Sequence, residues 1–511
     1  MRQVEKWDVF EVAVRGEAEG NPFLDYSVTG CFQSDNEMVR VNGFYDGDGT
    51  YRVRFMPSFK GKYRYRIEGN CMSEPEEGEF EAVAPEEGNH GPVRVVNETA
   101  LAYADGTPYY SIGTTCYAWV HQPLQLQEQT LATLAESPFN KIRFCIFPKF
   151  YEFNRSEPIT YPFERGNSEG IDWKLAEKEE QERDLFPGMA APVMDFSFDY
   201  TRPNVEHFQR FDLRIRQLRE MGIEADLILM HPYDRWGMND MNSEACDAYV
   251  RYVIARYGAF RNVWWSLANE YDLISTKTVM DWDRYGSIIA REDPYRHMCS
   301  IHNCTKYYDY SRNWVTHLSL QRVDFYRHVE YTDEYLSQYH KPVVWDEICY
   351  EGDIDLGWGN ITGEELVRRF WESFLRGGHA GHGETFMDEH DILWWSHGGV
   401  LKGESAPRLV FLRRIMEETP GGHLRRGEGL FDEVVGVAEN TKDAYRIHYL
   451  GLCRPSFRKL FLPEDELYEV ELIDTWNMMV TSVGLHCGIS RIEMPGKQYM
   501  AIRVQKRETD G

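Results

Sequence analysis

The stretch "RNVWWSLANEYD", residues 261–272, contains an apolar run from Val263 to Leu267 that leads directly into Asn269 and Glu270. A short apolar run without polar alternation is typical of a strand that is buried on both faces of a parallel sheet. In barrels of parallel strands and helices, active sites lie at the carboxyl ends of the strands, which is where a carboxylate that follows such a strand is placed. This stretch therefore predicts both a parallel β-sheet and an acidic residue in a site.

The pattern recurs along the chain between about residues 92 and 420, where apolar runs alternate with helix-like segments. The eight strand candidates are residues 109–115, 141–147, 223–229, 262–267, 297–302, 316–320, 341–347 and 378–386. One intervening segment, residues 204–222, has apolar residues at helical spacing and ends in a glycine. Eight strands alternating with helices over roughly 300 residues predict an α/β fold of the (β/α)8 TIM barrel type.

The two ends of the chain have a different rhythm, with short alternating strands separated by turn residues. Examples are "WDVFEVAVRG" (residues 7–16), the turn "DGDG" (residues 46–49) and "AYRIHYLG" (residues 444–451). This spacing is typical of small antiparallel β-sandwiches. We therefore expect an N-terminal β-sandwich over residues 1–90, the barrel over 91–424 and a C-terminal β-sandwich over 425–511.

A long insertion follows the second strand candidate. Residues 148–205 begin with the aromatic and polar stretch "PKFYEFNRSEPITYPFERG". A long segment of this kind in a compact domain is usually functional or disordered. Its aromatic residues favour a wall or lid over the site.

Composition excludes several classes of protein. A net charge of −27 predicts that the chain does not bind nucleic acids, because phosphate contacts require clustered Lys and Arg. No run of about 18 apolar residues and no signal-peptide pattern is present, so we expect no membrane span. The ten cysteines form no CxxC pair, which predicts reduced thiols in a cytoplasmic protein. The two sandwiches could act as subunit contacts in a homo-oligomer.

Polar residues stand at the ends of seven of the eight strand candidates, which is hard to explain by isolated surface caps. Glu270 and Glu347 are 77 residues apart, or about three β/α units, and so fall on opposite sides of the barrel mouth. Two facing carboxylates are what the cleavage of a glycosidic bond requires, and a retaining enzyme needs them about 5 Å apart. Asn269, beside Glu270, could bind the 2-hydroxyl group of the sugar. Two unrelated surface glutamates are the alternative interpretation.

Three motifs carry a resemblance to a known family: "GTTCYAW" (residues 113–119), "ANEYD" (268–272) and "PVVWDEICYEG" (342–352). They resemble the apiosidase-like catalytic domains of the clan A glycoside hydrolases, which are retaining enzymes on a (β/α)8 barrel. The resemblance implies that Glu270 is the acid/base and Glu347 the nucleophile. The family usually has Ser-Glu-Pro where this chain has Asp346-Glu347-Ile348, which affects the expected substrate preference.

Further candidates for the site follow from their positions. Arg143 is expected to hydrogen-bond Glu347 and keep it ionised, although a plain core ion pair is the alternative. His231 and His302 could bind sugar hydroxyls or orient the carboxylates, or be structural histidines. The stacking candidates are Trp119, Trp394 and Trp395, and the remaining substrate-binding candidates are Tyr350, His382 and Glu384. Glu351 and Glu384 are rival carboxylates that we rank below Glu347.

Two other classes of function remain open. The histidines at 231, 302, 317, 379 and 382 suggest a metal-dependent hydrolase on the same barrel, but the first strand lacks the His-x-His pair that such enzymes usually carry. A non-catalytic carbohydrate-binding protein is the second alternative, and the presence of both glutamates argues against it. The prediction is thus an exo-acting glycoside hydrolase that acts on a carbohydrate substrate without a metal or other cofactor.

Overall fold

A computed structural model gives the structure of residues 1–166, 198–324, 326–390, 392–430, 433–438, 441 and 444–507. Within these residues, eight parallel strands form a barrel, and separate sheets precede and follow it. The first to eighth barrel strands are Ile112–Thr115, Lys141–Cys145, Glu224–Met230, Val263–Ala268, Cys299–Ser300, Leu318–Ser319, Val343–Trp345 and His379–His382. Each overlaps one of the eight runs predicted from the sequence, so the predicted fold class is confirmed.

The barrel is closed by pairing between its fifth and sixth strands. Every other neighbouring pair forms a regular parallel ladder, from the fifth strand through the fourth, third, second, first, eighth and seventh to the sixth. A single parallel bridge between His302 and Ser319 joins the two remaining edges. Closure brings the residues that follow all eight strands to one face of the molecule.

The strands form because their side chains are buried on both sides. Every residue of the second, third and fourth barrel strands is buried. The helices pack outside the barrel, and local signals set their ends: Asn204 caps the helix that begins at Val205, and Thr278 forms a capping box with Asp281. The helices among the described residues are α1 (Leu124–Ala135), α2 (Val205–Glu220), α3 (Ser243–Tyr257), α4 (Val279–Glu292), α5 (Thr332–Tyr339), α6 (Gly363–Leu375), α7 (Trp394–His397) and α8 (Ser405–Glu417).

Short elements lie in the connections of the barrel. Turns of 3-10 helix occur at Trp119–His121, Met238–Asp240, Tyr271–Leu273, Val329–Tyr331 and Gly357–Gly359. Small sheets are formed by Val93–Val95, Leu101–Tyr103 and Pro108–Tyr109, by Phe163–Arg165 and Phe198–Pro203, and by Glu351–Gly352 and Glu384–Thr385. The centre of the insertion predicted over 148–205, residues 167–197, lies outside the described residues, so its interpretation as a wall or lid stays a prediction.

The N-terminal region consists of two sheets that pack face to face. The strands of the larger sheet are Arg2–Glu5, Val28–Gln33, Met38–Asn42, Gly61–Gly69 and Glu76–Val83, and those of the smaller sheet are Phe10–Arg15, Phe44–Tyr45 and Thr50–Phe55. Stacked rings such as Phe10 on Phe80 and Phe32 on Phe55 fill the space between them. The alternation of apolar and polar residues in this part of the chain is therefore explained by a sandwich.

Buried ion pairs hold this sandwich against the barrel. Arg54 donates hydrogen bonds to Asp212 of α2 at 2.7 and 3.1 Å and to the carbonyl oxygen of Arg256 at 2.7 Å. Arg256 of α3 binds the same carboxylate at 2.8 and 2.9 Å and pairs with Asp46 at 2.8 Å. The N-terminal sheets are therefore joined to two barrel helices by a buried cluster of two guanidinium groups and two carboxylates.

In the C-terminal region all paired strands are antiparallel, whereas in the N-terminal region Arg2–Glu5 pairs parallel with Glu76–Val83. The larger C-terminal sheet contains Leu424–Arg426, Val434–Ala438, Tyr445–Tyr449, Tyr468–Asp474, Met479–His486 and Met500–Lys506, and the smaller sheet contains Phe457–Phe461 and Ile489–Glu493. A separate apolar cluster that includes Leu460, Ile492 and Ile502 lies between them. The domain boundaries near residues 90 and 424 stay predictions. Among the described residues, no helix combines the length and apolar character that a membrane crossing requires.

Candidate active site

The two predicted carboxylates follow the fourth and seventh barrel strands. Glu270 comes two residues after Ala268, the end of the fourth strand, and Glu347 comes two residues after Trp345, the end of the seventh. Glu270 has a φ of +50°, in the left-handed region that non-glycine residues rarely adopt. Such backbone strain is concentrated at functional sites, where surrounding contacts hold it in place.

Three side chains hold the carboxylate of Glu270. Tyr233 donates its hydroxyl hydrogen to Oε2, and Gln321 Nε2 donates to Oε1 at 3.0 Å. Asn269 Nδ2 lies 3.3 Å from Oε2 and donates to it. Both oxygens of Glu270 are therefore fixed, by residues that follow the third, fourth and sixth strands.

Glu347 lies in a more positive environment than Glu270. Tyr117 donates a hydrogen bond to Oε1, His302 Nε2 lies 3.3 Å from the same oxygen, and Arg143 lies 3.7 Å from it. Burial alone would raise the pKa of Glu347, but His302, the charge of Arg143 and the hydroxyl of Tyr117 together hold this pKa well below its usual range. Glu347 is consequently a carboxylate, not a carboxylic acid, at neutral pH.

The two glutamates are linked through Asn269. Its Oδ1 accepts a hydrogen bond from Arg143 at 3.0 Å and lies 3.0 Å from the hydroxyl oxygen of Tyr117, which binds Glu347. Its Nδ2 donates to Glu270, which fixes the orientation of the amide. Glu347, Tyr117, Asn269 and Glu270 therefore form one continuous chain of polar contacts.

Beneath this chain, the barrel interior contains a charged network. Lys141 donates to Asp226 at 3.0 Å and to Asp346 at 2.7 Å. Ser319 donates to Asp346 at 2.5 Å and lies 3.0 Å from His302 Nδ1. Asp346, which stands where the resembling family has serine, thus anchors the histidine that contacts Glu347.

Aromatic rings form one wall beside Glu347. Trp395 packs edge to face on Tyr117 with ring centres 5.3 Å apart, and Tyr350 lies 5.7 Å from Trp395. Burial, followed by the negative charge of Glu347, raises the pKa of Tyr350 well above its usual value. Tyr151 and Phe153, from the described part of the insertion, also pack edge to face on Trp395, with ring centres 5.5 and 5.8 Å away.

Several predicted site residues lie among other neighbours. Trp119 is fully buried against Phe144, and Trp394, 1% exposed, donates to Thr114 at 2.8 Å. An indole without an exposed face cannot stack on a sugar ring, so we do not include these two in the proposed site. His231 is buried with Nε2 3.2 Å from the carbonyl oxygen of Phe147, and burial lowers its pKa to about 3.

His382 and Glu384 belong to a separate group at the end of the eighth strand. The carboxylate oxygens of Glu351 and Glu384 and a ring nitrogen of His382 lie within 4.8 Å of one another. Among the described residues, this is the one group of three or more side chains whose types and spacing would suit a metal ion. The Glu351 oxygens accept backbone N–H groups of Glu404 and Ser405, and the Glu384 oxygens accept those of Lys402 and Gly403. The group does not include Glu270 or Glu347. A metal ion held there would therefore not be bound by either of the paired glutamates.

Among the residues that the predicted substrate-binding set lacked are Tyr117, Tyr233, Gln321 and Lys149, whose Nζ lies 3.5 Å from the ring centre of Tyr117. Each comes within a few residues after a barrel strand, in "TTCY", "CIFPK", "MHPY" and "SLQ". Their positions after strand ends were a usable signal, but a tyrosine or lysine there is not by itself distinguishable from an ordinary loop residue.

A cleft of about 1330 Å³ lies on the same face of the barrel. It is lined by residues that follow the first, second, seventh and eighth strands, including Gln122, Phe153, Asn154, Ile354 and His390. Phe153 is shared with the aromatic wall, since its ring lies 5.8 Å from that of Trp395. The cleft therefore lies beside the wall that borders Glu347.

Comparison with protein families gave three matches. Residues 96–419 match the family described as "Apiosidase-like, catalytic domain". Residues 3–70 and 432–505 match two domains of unknown function, DUF5060 and DUF5605. A comparison with curated proteins gave no match.

Solved structures gave further similarities. A structure described as "a putative glycoside hydrolase from Bacteroides vulgatus ATCC 8482" is 35% identical, with a TM-score of 0.89 over 99% of this chain and 100% of that chain. A family 5 glycoside hydrolase from the same organism is 14% identical, with a TM-score of 0.59 over 82% of this chain and 94% of that chain. The second similarity concerns the fold alone.

Proposed function

The chain belongs to the apiosidase-like catalytic domain family and is a glycosidase, and we propose that it cleaves O-glycosidic bonds with retention of configuration. In this proposal Glu347 is the nucleophile and Glu270 the general acid/base. The observation that carries it is the different environment of the two carboxyl groups. Glu347 is held ionised beside His302 and Arg143, whereas Glu270 accepts hydrogen bonds from the neutral Tyr233, Gln321 and Asn269.

The reaction proceeds in two displacements. A carboxylate oxygen of Glu347 forms a bond to the anomeric carbon while the bond from that carbon to the leaving oxygen breaks, and the leaving oxygen takes the proton of Glu270. Water then attacks the anomeric carbon of the glycosyl-enzyme, giving its proton to Glu270 and releasing Glu347. Asn269 supports this scheme, because its amide is oriented by Arg143, donates to Glu270 and is linked to Glu347 through the hydroxyl of Tyr117.

We propose exo action on short oligosaccharides or glycosides. The support is the depth of the pair, since Glu270 is 8% exposed and the side chain of Glu347 13% exposed. Pockets that enclose one sugar suit the removal of a terminal unit, and the adjoining cleft has room for the rest of the substrate. A cytoplasmic location also belongs to this proposal and is supported by the ten cysteines, all of which are free thiols.

A panel of aryl glycosides that includes furanosides tests the activity. Among these substrates we expect at least one to be cleaved by the wild type, and we expect Glu270→Gln and Glu347→Gln each to lower kcat at least about 10³-fold. Glu244→Gln, at an exposed position of α3, is the matched control and should leave kcat unchanged. Azide should rescue Glu347→Gly with a product of inverted configuration and Glu270→Gly with a product of retained configuration.

The distance between the carboxyl groups of Glu270 and Glu347 in a crystal structure with bound substrate analogue gives an independent test. A retaining mechanism requires the two carboxyl groups to be about 5 Å apart, whereas a separation of about 6.5 Å or more indicates an inverting one. Retained activity of both Gln variants would also contradict the assignment of roles.

The metal-dependent hydrolase is tested by metal analysis and chelation of the purified wild type. We expect full activity after chelation, because Glu270 and Glu347 do not belong to the group formed by Glu351, His382 and Glu384. Stoichiometric zinc whose removal abolishes turnover would favour the metal mechanism. Sugar binding without turnover by the wild type would favour the binding protein.

A further inference from the structure

A lysine that the catalytic scheme does not use lies against the rings of the two tyrosines that bind the glutamates. Lys149 follows the second barrel strand, and its side chain is buried, with 1% of the residue exposed. Its Nζ lies over four aromatic rings, at 3.5 Å from the ring centre of Tyr117, 4.2 Å from Tyr233, 4.4 Å from Tyr151 and 5.2 Å from Trp395. We call these four rings and the enclosed ammonium group the lysine cage.

Lys149 lacks the partners that buried charges usually have. Within the described residues, its Nζ makes no hydrogen bond and no ion pair. Its charge is instead in cation–π contact with the rings of the lysine cage. Burial lowers the pKa of Lys149 to about 8, against the opposing charges of Glu270 and Glu347. Placing an ammonium group here is therefore unfavourable for folding, and a methionine of similar length would fill the same space without that penalty.

Two walls of the lysine cage are the tyrosines that bind the glutamates. Tyr117 donates to Glu347 and Tyr233 donates to Glu270. A cation over the face of a phenol ring draws electron density from the ring and makes its hydroxyl a stronger donor. Lys149 thus lies on the ring faces of two tyrosines, and each tyrosine donates its hydroxyl hydrogen to one of the two carboxyl groups.

We propose that Lys149 is a positioning residue of the glycosidase reaction, whose caged ammonium orients Tyr117 and Tyr233 and balances the negative charge of Glu347 and Glu270. This inference rests on the proposed function. In the first displacement, negative charge leaves Glu347 as its oxygen bonds the anomeric carbon, and appears on Glu270 as its proton goes to the leaving oxygen. A cation adjacent to both tyrosines stabilises the charge at the start and at the end of this transfer.

The titratable groups around Lys149 set the expected pH dependence. The carboxyl groups of Glu270 and Glu347, the guanidinium group of Arg143 and the thiol of Cys145 act on its charge, and Lys149 in turn acts on His231. The phenols of Tyr117, Tyr151 and Tyr233 complete the surroundings. Removing the cation should make the neighbouring carboxyl groups hold their protons more tightly, because a nearby positive charge favours the ionised form of a carboxyl group.

The test compares Lys149→Met, Lys149→Arg and the exposed control Lys62→Met with wild type. For Lys149→Met we expect kcat/KM at pH 7 to fall at least about tenfold, and both limbs of its pH profile to move upward by about one pH unit. Lys149→Arg should restore part of the rate and return both limbs toward the wild-type pH values. A cation that serves only folding would leave both limbs unchanged, and unchanged limbs would overturn the proposal.

Thermal unfolding provides a readout that does not depend on turnover. Lys149→Met should unfold at or above the wild-type temperature at pH 7, because the buried charge is gone. The folded-state pKa of Lys149 is about 8 and thus below its ordinary value of about 10.4, so its burial penalty is complete below pH 8 and disappears as the pH rises toward 10.4. The gain in Lys149→Met should therefore shrink over that range.

The two readouts separate failure of this inference from failure of the proposed function. A Lys149→Met protein that unfolds well below the wild-type temperature at pH 7 would show that the lysine is structural, and would overturn the inference alone. Full activity of the Glu270→Gln and Glu347→Gln variants would overturn the proposed function and the inference together.

Discussion

Asp346→Asn is the substitution whose effect on the free energy of unfolding can be estimated most directly from the structure. The Asp346 carboxylate accepts from Lys141 at 2.7 Å and from Ser319 at 2.5 Å, and is 2% exposed. Removing one partner of a buried ion pair destabilises a protein by about 3–5 kcal/mol. Because Lys141 keeps Asp226 at 3.0 Å, we expect the lower end, about 3 kcal/mol.

A double-mutant cycle tests this estimate. Lys141→Met should destabilise by a similar amount, since it leaves Asp226 and Asp346 to share Arg143, which lies 3.8 and 3.9 Å from them. The double variant restores the balance of charge, so its loss should be smaller than the sum of the single losses by about 2 kcal/mol or more. Denaturant unfolding followed by tryptophan fluorescence measures all four proteins.

The difference in unfolding free energy between the wild type and Asp346→Asn should also depend on pH, in a direction that the pKa of Asp346 predicts. Burial would raise the pKa of Asp346, but Lys141 and Arg143 hold it far below its ordinary value. The stabilisation is therefore complete above the unfolded-state pKa of about 3.9 and is lost as the pH falls through the lower folded-state pKa. Single-variant losses under 1 kcal/mol, or strict additivity in the double variant, would refute the reasoning.

Two further predictions concern the site and the contact between the sandwich and the barrel. Tyr117→Phe removes a donor to Glu347, so the acidic limb of the kcat/KM profile should rise by about one pH unit, and an unmoved limb would contradict this role. Asp212→Ala leaves Arg54 with the partly exposed Glu11 and Arg256 with Asp46, and should destabilise by about 3 kcal/mol in denaturant unfolding, the lower end for a broken buried ion pair. The exposed pair Arg66–Glu77 provides its control, since Glu77→Ala should leave the unfolding midpoint close to that of the wild type.

Much of the fold was predictable because its signals are local. A strand that is buried on both faces needs apolar residues over its whole length, so Val263–Ala268 and its seven counterparts are visible as runs in the sequence. Parallel strands in a barrel end on one face, so Glu270 and Glu347 could be assigned to one site from their positions after two such runs. Arg143 was identified as a polar residue within the second run and His302 as one at the end of the fifth, and both lie within 4 Å of Glu347.

The partners of these carboxyl groups could not be predicted from local signals. Tyr117, Tyr233 and Gln321 come from loops after three different strands, and their convergence depends on the closure of the barrel. The same limit applies to the tryptophans: "CYAW" and "LWWS" do not reveal which indole faces the site and which packs in the core. Structure distinguishes Trp395, which contacts Tyr117, from Trp119 and Trp394, which are enclosed elsewhere.

The sequence by itself determined the architecture, the family resemblance and the positions of the two glutamates that we propose as catalytic. Burial pattern and chain order suffice for the architecture and for those positions, and the motifs "GTTCYAW", "ANEYD" and "PVVWDEICYEG" carry the resemblance. Tertiary structure decided the environment of each glutamate, which depends on distances between segments far apart in the chain. The ion pairs of Glu347, the hydrogen bonds of Glu270 and the cage around Lys149 exist because barrel closure brings these groups within a few ångströms in a site from which water is largely excluded. At such distances and in such surroundings, charges and hydrogen bonds are strong enough to set protonation.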